Sequence, residues 1–144
     1  MAKNLRVFKA NGCPDLDKQT LALLVKFLKY AISELKLQDV EVKIRLLGKS
    51  PNEPITTGCY SPQNKTISTI CDGRHMIDYC RTIAHELTHM KQDEDGRING
   101  NEQEIGGEIE DEANVRAGRI TKHFIKNILT PEDKKYLGLG NYGS

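Results

Sequence analysis

Apolar positions along the chain fall into blocks whose period changes from helical to extended and back again. After Pro14, the run DLDKQTLALLVKFLKYAISELKL places Leu16, Leu24, Phe27, Ala31 and Leu35 on one stripe and predicts a first helix. DVEVKIRLLG then alternates, with Val40, Val42, Ile44 and Leu46 on one side and Glu41, Lys43 and Arg45 on the other, which predicts a strand with one buried face. GKSPNEP reads as a loop. TTGCYSPQNKTISTI follows as two β-prone runs around Ser61-Pro62-Gln63-Asn64, a hairpin or meander connection, so the expected sheet is small and mostly antiparallel. From Met76 the helical period returns. Cys80, Ile83, Ala84, Leu87 and Met90 form the apolar face of a second helix, which Asp95-Gly96 ends. RINGNEQEIGG is a polar, glycine-rich connection, and Ile109, Ala113, Ala117, Ile120 and Phe124 mark a third helix running to about Asn127. From about Pro131 the chain is expected to close as a loosely ordered tail, because YLGLGNYGS carries three glycines and little to bury.

With 144 residues the chain has the size of one domain, so residues 1–144 read as a single α+β unit able to bury a core of its own. Lys and Arg total 21 against 20 for Asp and Glu, and a net charge of +1 supplies no field to attract nucleic acid or an anionic membrane. The start, MAKNLRVFKANG, holds no apolar run long enough for a signal peptide or a membrane span, and a soluble, cytoplasmic protein is expected. Cys13, Cys59, Cys71 and Cys80 are scattered without a C-x-x-C pair, which points to reduced, partly buried thiols instead of a zinc knuckle or a disulfide framework.

The second helix carries the chemistry. In RTIAHELTHMKQ, His85 and His89 are four residues apart, so on a helix both imidazoles reach one ion from the same face. Glu86, one residue on from His85, projects beside that pair, where a carboxylate can hold and deprotonate water at the metal. The histidines border the apolar stripe of Ile83, Leu87 and Met90, the place where clefts are lined. Two histidines at this spacing without the glutamate would read as an ordinary polar helix face; the whole H-E-x-x-H pattern points to zinc.

A catalytic zinc usually takes three protein ligands and a water. Asp95 stands six residues after His89, but Gln92 occupies the place where a glycine would let the chain turn under the metal. The third helix offers Glu108, Glu110 and Glu112. At about 100° per residue, Glu110 falls in line with Ala117 and beside Ala113 and Asn114, small residues that let two helices approach. Glu112 is accounted for by an i, i+4 ion pair with Arg116, and Glu108 by the helix N-terminus. Glu110 is therefore the expected third ligand.

His85-Glu86-Leu87-Thr88-His89, followed by Glu110-Asp111-Glu112-Ala113-Asn114, resembles the gluzincin zinc peptidases. The run from Glu110 to Ala117 is similar to that of the small ImmA/IrrE-like metallopeptidases and their phage and bacterial neighbours. The likeness covers these two helices alone. It implies a minimal zincin-like α+β domain: an N-terminal helix, a small sheet, an active-site helix with HExxH and a following helix with the glutamate ligand. It also implies zinc held by His85, His89 and Glu110, Glu86 as general base, Asn114 hydrogen-bonding a ligand histidine, and a protein or peptide substrate. The chain departs from the pattern in having Asn114 where the family has an acid, and Thr88 where many members have glycine. In gluzincins the substrate lies along a sheet edge before the active-site helix, which marks Thr66, Ile67 and Ser68 as the candidate edge strand.

The expected activity is zinc-dependent endopeptidase hydrolysis. A rival from another class is a non-catalytic binding or assembly protein on the same fold, such as a virion component, located in a host cytoplasm or in the virion. Glu86 weighs against that rival, since metal binding alone does not call for a carboxylate there. Tyr60, His75 and Tyr142 are open candidates for a second oxyanion donor, although each reads more simply as a packed or exposed residue. His123 lies far along the third helix from Glu110 and is expected to face solvent. Nothing marks a nucleic-acid or membrane partner.

Overall fold

The computed structural model describes residues 4–10, 12–38, 41–48, 57–98 and 107–140. Along the chain these form β1 (Asn4–Lys9), α1 (Lys18–Leu35), β2 (Glu41–Leu47), β3 (Gly58–Ser61), β4 (Thr66–Ile70), α2 (Met76–Glu94), α3 (Glu108–His123) and α4 (Pro131–Tyr136), with a π-helical turn, Phe124–Ile128, continuing α3. The architecture is α+β, four helices on a small mixed sheet.

The sheet order is β1-β2-β4-β3. β1 and β4 both run parallel to β2, from Asn4↔Glu41 to Lys9↔Leu46 and from Lys43↔Thr66 to Leu47↔Ile70, and β3 alone is antiparallel, against β4. The expected mostly antiparallel sheet is thus corrected. Its cause is β1, an edge strand whose pattern announces little: only Leu5 and Val7 pack on the core, between charged and exposed neighbours. With β1 present, α1 becomes a crossover between parallel strands, which a helix readily supplies. The hairpin itself follows the sequence pattern. Its turn passes Lys65 at φ 50°, and places β4 between β2 and β3.

Helix ends follow local chemistry. Asp17 caps α1 by accepting from the Thr20 amide, and Lys36 in the left-handed region closes it with its N–H on the Ile32 and Ser33 carbonyls. His75 caps α2: its Nδ1 accepts from the Ile77 amide at 3.0 Å. Leu24, Phe27, Leu28 and Ala31 of α1, Val42, Ile44 and Leu46 of β2, Ile67 of β4, and Cys80, Ile83, Ala84 and Leu87 of α2 make one continuous core. Val40, placed on that face by its pattern, lies outside the described residues, as do residues 49–56 and most of the glycine-rich connection before α3.

Where a loose tail was expected from about 131, the chain forms α4. Pro131 opens it, and Thr130 and Asp133 exchange side-chain and backbone hydrogen bonds as a capping box. The Tyr136 hydroxyl donates to Asp17, and His75 Nε2 meets the Leu137 carbonyl at 2.8 Å, so residues up to 140 are tied to the starts of α1 and α2. Among the described residues no helix is long and apolar enough to cross a membrane.

Candidate metal centre

α2 and α3 pack on each other more extensively than any other two elements, with buried Ala113 and Ala117 allowing the close approach. That contact presents the first turn of α3 to the polar border of α2. The His85 and His89 rings stand edge to face, centroids 4.7 Å apart, with their Nε2 atoms separated by 3.1 Å. Glu110 closes the triangle: Oε1 lies 2.8 Å from His85 Nε2 and Oε2 3.0 Å from His89 Nε2. Among the described residues this is the one group of three ligand-type side chains whose donor atoms all lie within 4.8 Å of one another. A tetrahedral zinc at about 2.0–2.1 Å from each donor sets the donors roughly 3.3 Å apart, so the three residues fit such an ion with sub-ångström adjustment.

Electrostatics suit a cation. Burial holds the His85 imidazole below its ordinary pKa, and the neighbouring His89 adds to this; the charge of Glu110 and hydrogen bonds to Glu110 and Asn114 pull the other way. A neutral imidazole is the form that ligates metal. Asn114 of α3 stands within hydrogen-bonding reach of His85. Glu86 is half-buried next to the triad, and its carboxyl is pushed up to about 7 by burial, with Glu110 raising it further and His89 opposing. Thr88, noted as a departure from the glycine of many similar chains, is buried and donates its hydroxyl to the Ala84 carbonyl at 2.8 Å, so it stays clear of the triad.

The triad opens on a cleft of about 520 Å³ bounded by Thr57 and Gly58, by Arg81, Thr82, His85 and Glu86 of α2, and by Glu110, Asn114 and Ala117 of α3. Thr57, Gly58, Arg81 and Thr82 carried no expectation, and two of them bear on the site. Arg81 precedes His85 by one helical turn and has no ion-pair partner among the described residues. Its signal is the same i, i+4 spacing that joins the histidines. Gly58 is required by proximity: a Cβ there meets Thr82 Cγ2 at 2.5 Å and the Ser68 carbonyl oxygen at 3.1 Å, with Glu86 Cγ at 3.8 Å. Gly58→Ala is expected to destabilise the fold by about 1–3 kcal/mol through this overlap. Adding Thr82→Ser, which removes Cγ2 and keeps the hydroxyl bonded to Arg74, should restore part of the loss in denaturant unfolding. Additive losses in the double variant would reject the contact as the cause.

Thr66, Ile67 and Ser68, expected as a substrate-facing edge, lie on β4, which pairs with β2 on one side and β3 on the other. That expectation is corrected: β4 is an inner strand, and among the described residues the edge strand beside the cleft is β3. Of the three open oxyanion candidates, Tyr60 and His75 have other partners. The Tyr60 hydroxyl donates to Asp93 Oδ2 at 2.7 Å, and Lys65 reaches the same oxygen at 3.1 Å. His75 is committed to capping α2 and to Leu137, and Tyr142 lies outside the described residues. His123 is exposed, as expected, and Asp95 is the exposed C-cap of α2, paired with Lys91.

Glu112, expected to pair with Arg116, bonds instead across the helix pair. Its Oε1 accepts from Gln92 Nε2 at 2.8 Å and from Arg97 Nη1 at 2.7 Å. These hydrogen bonds, Gln92's first, hold its carboxyl below the usual range. Gln92 carried no expectation of a role. It is buried, and besides Glu112 its amide contacts His89 Nδ1 through Oε1 at 2.8 Å and the Ile109 carbonyl through Nε2 at 3.0 Å. Its local signal is slight: a polar residue three positions after a ligand histidine, whose other partners come from a different helix. Compared with protein-family models, curated proteins and solved structures, the chain matches none.

Proposed function

We propose that the chain is a zinc-dependent metalloendopeptidase of the zincin-like, gluzincin type, hydrolysing peptide bonds in a protein or peptide substrate. The observation that carries this reading is the convergence of His85, His89 and Glu110 on one point, with Glu86 beside them at the wall of an open cleft. His85 and His89 through Nε2 and Glu110 through its carboxylate would hold the ion. When bound, zinc acidifies water and polarises a carbonyl. Glu86 is the residue that takes the proton from the attacking water and returns it to the departing amine, and a carboxyl titrating near neutrality suits both transfers. Asn114 orients His85. The edge of β3, unpaired among the described residues, offers backbone groups to an extended peptide, which gives binding with little demand on sequence. Arg81, a cation on the cleft wall, favours an acidic side chain or carboxylate on the substrate.

The test is elemental analysis of the purified protein at known concentration, alongside cleavage of an unfolded protein substrate. About one zinc per chain is expected, with cleavage lost to a chelator and recovered on adding zinc. Neither bound zinc nor uptake of added zinc would end the peptidase reading.

A further inference from the structure

We infer that Gln92 is a positioning residue for the metal centre, fixing His89 as its Nδ1–H tautomer and fastening the start of α3, and so Glu110, to α2. This role rests on the proposed metal site only for what the positioning serves; the hydrogen-bond logic is independent of it. The Gln92 amide nitrogen faces two groups that only accept, the Ile109 carbonyl at 3.0 Å and the Glu112 carboxylate at 2.8 Å. Exchanging its oxygen and nitrogen would set oxygen against both, so the amide orientation is determined by its partners. Oε1 is left facing His89 Nδ1 at 2.8 Å, and an amide oxygen only accepts. His89 Nδ1 must therefore carry the proton, which leaves the Nε2 lone pair for the point shared with His85 and Glu110.

Opposing this is Glu110. Its carboxylate lies 3.0 Å from His89 Nε2 and, without Gln92, would draw the proton of a neutral His89 to that nitrogen. There it would block the lone pair. The same amide reaches the backbone of Ile109, the residue immediately before Glu110, so one buried side chain sets both a ligand's tautomer and another ligand's place along α3. Arg97 completes the chain of bonds by holding Glu112 at 2.7 Å, which keeps that acceptor ionised and aimed at Gln92.

The experiment is a long-range ¹H–¹⁵N spectrum of the chelator-treated, ¹⁵N-labelled protein at a pH of about 9, well above the ordinary imidazole value. Wild type, Gln92→Leu and Gln92→Glu are compared, with folding checked by circular dichroism. Wild type should show His89 protonated on Nδ1. Gln92→Glu retains an acceptor toward His89 but sets an oxygen against the Ile109 carbonyl and the Glu112 carboxylate, so it should lose the fastening of α3, whereas Gln92→Leu should pass His89 largely to Nε2–H. Zinc affinity, read by competition with a chromophoric chelator, should fall roughly 10- to 100-fold in Gln92→Leu. A wild-type His89 protonated on Nε2, or a folded Gln92→Leu that stays wholly Nδ1–H, overturns the inference. If Gln92→Leu does not fold, the wild-type spectrum decides it, Nε2–H there being contrary. A wild type that takes up no zinc ends the peptidase reading, and the tautomer spectra then decide the role of Gln92 by themselves.

Discussion

Glu86→Gln is expected to keep one zinc per chain while lowering peptide hydrolysis roughly 10²- to 10⁴-fold, the range for removal of a positioned general base. Glutamine has nearly the same shape and lies outside the three donors, so ligation has no reason to change. A second, independent consequence follows from the raised carboxyl. Folding takes Glu86 from an ordinary value of about 4.3 to about 7, so between those limits the folded chain binds more protons than the unfolded one. The sign is the reverse of the usual carboxylate case: this group favours folding below its unfolded pKa and costs stability as pH rises toward 7 and above. Glutamine escapes that cost. Metal-free Glu86→Gln should therefore unfold later than wild type at pH 8, by on the order of 1–3 kcal/mol after allowance for solvent at the cleft, and the two should converge near pH 4. Thermal unfolding at the two pH values tests this. A variant that is both less active and less stable at pH 8 would assign Glu86 to packing. One that cleaves as fast as wild type would favour a binding or assembly protein over an enzyme.

That pairing of lost activity with gained stability is what the proposed general-base role of Glu86 predicts, since a half-buried carboxyl costs stability that a role in proton transfer would offset. The same logic separates Glu86 from Glu112. Glu112 is also an acid on the α2–α3 border, but Gln92 and Arg97 satisfy it and lower its pKa, so it stabilises the fold above the ordinary carboxylate range. One carboxyl fastens the two helices; the other is left free to exchange a proton.

The parts of the site legible in the sequence are those governed by helical phase. His85, Glu86 and His89 share a helix whose period is plain, and Glu110 follows from counting 100° steps to the small residues Ala113 and Ala117, which do face α2. What could not be read depends on contacts distant in sequence. β1 alternates too weakly to show itself, and without it nothing indicates that β2 has parallel neighbours. With strand order unknown, the hairpin strand nearer α2 in sequence reads as the edge, although β3 occupies it. Glu112 obeys the local i, i+4 rule toward Arg116 only until a stronger pair of donors, from α2 and the segment after it, outweighs that rule. Gln92 is hidden for the same reason: a buried amide gains nothing locally, and its acceptors stand on α3.

Glu110→Ala is expected to abolish stoichiometric zinc binding, with a loss of affinity well beyond the roughly 10- to 100-fold that follows from removing a partner outside the ligand set. Without Glu110 the site retains two imidazoles and no anion, and Glu86, set to the side, does not lie among the three mutually close donors. Thermal unfolding separates this cleanly from damage to the fold. With free zinc a thousandfold above its dissociation constant, binding adds about 4 kcal/mol to wild-type stability, a rise on the order of 10 °C for a domain of this size. Glu110→Ala should fold without metal and show no such rise, because the carboxylate bridges α2 and α3 only through its terminal oxygens while Ala113, Ala117 and the Gln92 amide hold the helices together. A full zinc-induced rise in the variant would mean that the third ligand is another residue. Asp95, the alternative donor that follows His89 in the sequence, is exposed at the end of α2, and alanine there should leave zinc binding unchanged.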